Sequence, residues 1–80
     1  MTYLPVELFG DRDVRLHIME SVIFLSMTGE IAIGVKVSLS VPDDLRHRIA
    51  AIPKWVWDEG LGCFVGEFAM REIENATAEE

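Results

Sequence analysis

The chain has 80 residues, half of them apolar, with seven bases against fourteen acids and a net charge of −7. That length holds one domain with a modest core, the apolar content excludes a disordered chain, and Cys63, the single cysteine, excludes an intrachain disulfide. Without a basic patch the chain is not expected to bind a nucleic-acid backbone directly, and an unpaired thiol points to a reducing compartment.

The N-terminal stretch Met1-Thr2-Tyr3-Leu4-Pro5-Val6-Glu7 has no basic region and no long apolar run, so it does not read as a signal peptide. Val22-Ile23-Phe24-Leu25 falls far short of the roughly 20 residues of a membrane helix. A cytoplasmic protein with no membrane partner is the expectation.

Leu4, Val6 and Leu8 alternate, which predicts a first strand near 3–9, placed at a sheet edge because Pro5 cannot donate to a ladder. Gly10-Asp11-Arg12-Asp13 supplies a turn. Val14, Leu16 and Ile18 alternate again, predicting a strand near 13–19. The nearly continuous apolar run after Ser21 predicts a further, central strand near 21–27. A helix over 13–27 is the rival reading, rejected because its polar residues would be scattered around the barrel. Thr28-Gly29-Glu30 is a short turn leading into a hairpin partner near 30–41, where Ile31, Ile33, Val35, Val37, Leu39 and Val41 fall on every second position. Gly34 marks a bulge or bend in it.

A helix is predicted over 42–52. Pro42 opens it, Asp43 and Asp44 suit the positive end of its dipole, and Pro53 stops it. Its stripe Leu45, Ile49, Ile52 should cover the sheet face bearing Ile31, Ile33, Val35, Val37 and Leu39. Beyond Pro53, Lys54–Asp58 and Cys63–Met70 read as two strands around a glycine turn, though Val65, Phe68, Ala69, Ile73 and Ala76 also fit one face of a helix. The hairpin is favoured because three glycines would each weaken a helix by up to about 1 kcal/mol. The predicted architecture is α+β: an antiparallel sheet of about four to six strands with one main helix on one face. The domain spans 1–74, and 75–80 is an acidic, frayed tail.

No constellation for catalysis emerges. His17 and His47 lack metal-ligand spacing, Cys63 lacks a CxxC companion, and the pairs Asp11/Asp13 and Asp43/Asp44 have local explanations. The glycines miss every phosphate-cradle spacing. The expectation is a non-enzymatic protein with no metal and no cofactor.

The charge is uneven. Residues 1–57 carry seven acids and six bases, whereas 58–80 carry seven acids and only Arg71. Trp55 and Trp57 sit at the start of this acidic stretch, on one face of the predicted strand, and read either as core or as interface anchors. The candidate partner-binding residues are therefore Trp55, Trp57, Asp58, Glu59, Glu67, Glu72 and Glu74. The expected function is an acidic module that docks on a basic protein surface, possible owners including nucleic-acid-binding proteins whose groove it would fill by charge mimicry. In overall character the chain resembles small inhibitors of phage or mobile elements, such as anti-CRISPR and immunity proteins, though no motif carries that likeness. The alternative is a homodimer or larger assembly made by sheet-edge or apolar-patch pairing.

Overall fold

A computed structural model describes residues 3–77 and shows an α+β fold: a four-stranded antiparallel sheet with two short helices. The strands are β1 (Arg15–Leu25), β2 (Ile31–Ser40), β3 (Val56–Asp58) and β4 (Cys63–Ala69), in the spatial order β1-β2-β4-β3. Helix α1 (Arg46–Ala50) follows a 3-10 turn at Asp43–Leu45, and α2 (Met70–Thr77) follows β4 without a break.

The first predicted strand is not one. Val6–Leu8 form a 3-10 turn, closed by Leu8 N–H donating to the Pro5 carbonyl. Alternation would have put Leu4, Val6 and Leu8 on one face. The turn instead buries Leu4 and Leu8 in the core and leaves Val6 exposed. The strands predicted over 13–19 and 21–27 are one strand, β1, and it lies at the edge of the sheet rather than at its centre. The register slips between Ile18 and Glu20, inserting Met19 as a bulge. The bulge reverses the phase, so Leu16 and Ile18 before it share a face with Ser21, Ile23 and Leu25 after it.

The β1–β2 hairpin closes through the predicted turn. Ser26 N–H donates to the Glu30 carbonyl, the Ser26 hydroxyl accepts from Glu30 N–H, and Gly29 takes the positive φ of 87°. At the other hairpin, Gly62 (φ 70°) donates its N–H to the Asp58 carbonyl, and β3 pairs with β4 as predicted.

The helix predicted over 42–52 is shorter, a 3-10 turn plus five α-helical residues. Its stripe faces the core, with Ile49 fully buried and Leu45 and Ile52 packed against the same cluster, but Ile31 and Ile33, which it was expected to cover, stay exposed. Helix α2 starts with Glu72 reaching back to accept the Ala69 N–H at 3.2 Å, half of a capping box, and it adds Ile73 to the core. Asn75, Ala76 and Thr77 continue this helix, and the remainder of the predicted tail, 78–80, lies outside the described residues.

Only one sheet face is layered. Val35, Val37 and Leu39 of β2 stand beside Phe68, Gly66 and Phe64 of β4, under Leu4, Leu8, Ile49 and Ile73. Trp55 fills the space above Gly66 and packs on Phe68 with ring centroids 5.0 Å apart. Its indole N–H donates to the Tyr3 carbonyl at 2.9 Å, which ties the N-terminal segment down. A Cβ on Gly66 would meet Phe68 at 2.8 Å, and the Lys54 carbonyl and the Trp55 ring at 3.1 Å. Gly66→Ala is therefore expected to destabilise the fold by about 1–3 kcal/mol, read from urea unfolding; an unchanged midpoint would show that Trp55 does not hold this position.

Candidate functional site

Trp55 is a core residue at 4% exposure and offers no surface. Trp57 is half-buried on the same sheet face, its ring meeting Phe64 edge-on at 5.0 Å. The Arg46 guanidinium covers it, 4.3 Å from the ring centroid, so the ring is not a bare anchor.

The five carboxylates do not converge. Asp58 is spent on the β3–β4 turn, where Oδ1 accepts the Leu61 N–H at 3.0 Å. Glu59 is exposed in that turn. Glu67 lies on the unlayered sheet face, where the register sets Glu20, Lys36 and Glu67 side by side across β1, β2 and β4. That alternation of sign compensates part of its charge. Glu72 caps α2, and Glu74 is exposed on it. Because Cys63 pairs with Asp58 at one end of β4 and α2 begins after Ala69 at the other, these groups start from opposite ends of a seven-residue strand. The helix arginines are taken up elsewhere, Arg46 by Asp43 and Arg48 by Glu7, both at 3.2 Å.

What the structure brings together is apolar. Ile49 of α1 and Ile73 of α2 join Val35, Val37 and Leu39 in the core, but Ile31 and Ile33 stay uncovered. Lengths bear on this: β2 has ten residues, about 34 Å at strand rise, whereas Asp43–Ala50 and α2, eight helical residues each, reach only about 12–16 Å apiece. The far half of the hairpin therefore projects as an arm. Its extent shows in the dimensions, 41 × 32 × 21 Å, and in a radius of gyration of 13.0 Å, against about 12 Å for a compact chain of this length.

On the arm, Ile23 faces Ile33 and Leu25 faces Ile31 across the two strands. Exposures are 53% for Ile18, 76% for Ile23, 73% for Leu25, 105% for Met27, 72% for Ile31 and 62% for Ile33. Apart from Met27 in the turn, all stand on the face that becomes the core further along. The opposite face of the arm partly covers itself: the Phe24 ring lies against Gly34, in space a Cβ would need. Beside it a shallow depression of about 480 Å³, bordered by Phe24, Lys54, Val56, Asp58, Val65 and Glu67, mixes both charge signs and buries no polar group.

The sequence did contain the arm's signal. Apolar residues on both parities of 21–25 fit a central strand, but equally an edge strand whose uncovered face is an interface. Among the described residues, no group of three His, Cys, Asp or Glu side chains is placed to hold a metal ion, and no helix is long and apolar enough to cross a membrane. His17 and His47 lie on opposite sides of the sheet, and Cys63 is buried.

No family model, curated protein or solved structure matches this chain.

Arg46→Gln removes the cation over Trp57. It is expected to cost about 0.5–1 kcal/mol and to shift tryptophan emission to the red. Since Trp55 is buried, the shift reports Trp57; an unmoved spectrum would mean the guanidinium does not shield it.

Proposed function

We propose that this protein is a non-enzymatic protein-interaction module whose main contact surface is the apolar arm of the β1–β2 hairpin. The observation that carries the reading is the run of large aliphatic side chains at more than half exposure on one sheet face, continuous with the core. At ordinary side-chain areas they amount to on the order of 500 Å² of apolar surface, as large as the largest patch on most monomers. Such a face stays in water at a free-energy cost that a bound partner removes.

A second reading keeps the acidic surface: an inhibitor that docks on a basic protein by charge. It is favoured by Glu59 and Glu74, which stay exposed while the arginines of α1 pair with earlier acids. Against it stand the dispersal of the carboxylates and the arginine over Trp57. The two readings differ in salt response. Charge-guided binding weakens as salt screens it, whereas burial of the arm persists.

The double variant Ile23→Asp/Ile33→Asp should keep its fold: both sites are exposed, and setting two β-poor residues of like charge opposite each other costs about 2 kcal/mol. Cross-linking in an extract of the native host, compared with Glu59→Lys/Glu67→Lys/Glu74→Lys, then separates the readings. Loss of the cross-linked species in the arm variant alone is the expected result. Loss in the charge variant alone would transfer the function to the acidic surface.

A further inference from the structure

The arm's face selects its occupant by what it lacks. Between Ile18 and the hairpin turn, the exposed row on β1 and its partner row on β2 contain no charged residue: Glu20 and Lys36 point to the other face, and Glu30 sits in the turn. A basic partner would find no counter-charge there. An anionic lipid surface would meet a chain of net charge −7. The occupant that fits is neutral, flat and apolar, with alternating aliphatic side chains.

We propose that the arm's occupant is a second copy of this chain, packed face to face on it about a two-fold axis. This rests on the reading that the arm is a docking surface, and names its partner. A sheet face carrying Ile23, Leu25, Ile31 and Ile33 is matched by its own image, since two sheets pack with inward aliphatic residues interdigitating at about 10 Å. A two-fold contact covers both patches at once and leaves none over, so assembly stops at two. The size agrees: on the order of 500 Å² of apolar surface with its rim approaches the roughly 800 Å² per partner of a stable interface. Pairing of free β1 edges would extend the sheet but leave this face in water, so it meets the requirement less well.

The test is the mass in solution of the full chain between about 1 and 100 µM, by sedimentation or light scattering. Wild type should run at twice the 9.0 kDa of one chain, in low and high salt alike. Ile23→Asp/Ile33→Asp should run as a folded single chain, and Val56→Asp, an exposed site on the other sheet face, should stay paired. Ile33→Cys adds a direct readout, because native Cys63 is buried: mild oxidation should give a disulfide-linked pair. A single-chain mass for wild type overturns the second copy, and the docking reading then stands or falls on the host cross-link separately. A pair that survives the arm substitutions, or dissolves with Val56→Asp, is held by another surface and likewise overturns the second copy on the arm. Co-flotation of wild type with neutral phosphatidylcholine vesicles, lost in the arm variant, would replace the second copy with a lipid surface.

Discussion

The architecture turns on a mismatch of lengths. Two long paired strands lay down an apolar face along their whole extent, and the short helices available to cover it leave the Ile31 end bare. The N-terminal 3-10 turn, α1 and α2 gather over Val35, Val37 and Leu39. Past that point the same alternation continues with nothing above it. A small domain has few apolar residues to bury, and leaving several of its largest in water is a severe expense at roughly 25 cal/mol per Å². The covered half must therefore be dense enough to hold the fold alone.

That density comes from aromatic residues and a missing side chain. Gly66 clears the floor of the sheet, Trp55 drops into the gap, and its indole N–H reaches the Tyr3 backbone. One residue thus links β4, the loop before β3 and the N-terminal segment. The same geometry settles the pair of tryptophans: Trp55 is committed to the core, whereas Trp57, one step along the same face, ends at its border under an arginine. Spacing alone could not separate them, because both positions share a face and only the third dimension distinguishes centre from rim.

Much of the fold was legible from local patterns. The turns at Gly29 and Gly62, the alternation of β2, the late hairpin and the helix stripe ending at Pro53 each follow from residues that permit few alternatives. The failures have identifiable causes. The first segment alternates like a strand but folds as a turn, because Leu4 and Leu8 reach the core equally well one helical step apart. The bulge at Met19 inverts the hydrophobic phase without glycine or proline, so it imitates a break between two strands. The candidate site was less legible. Counting late carboxylates shows an acidic segment, but whether they converge depends on register. Here Asp58 is taken up by the β3–β4 turn at one end of β4 and Glu72 by the start of α2 at the other, and the register makes Glu67 a neighbour of Lys36.

The exposed arm bears on which interaction a short acidic chain can use. Net charge of one sign keeps copies apart at long range, but the screening length near 8 Å at physiological salt confines that repulsion to groups close together. The carboxylates lie around the covered half and in the turns, while the uncovered aliphatic face carries none. That face is therefore one where apolar contact could be gained without bringing carboxylates together. Pairing through it, as proposed, would bury apolar surface from both copies. In the proposed pair the two features would act together: the acids would disfavour contacts between acidic surfaces, and the apolar face that the short helices leave uncovered would supply the favourable one.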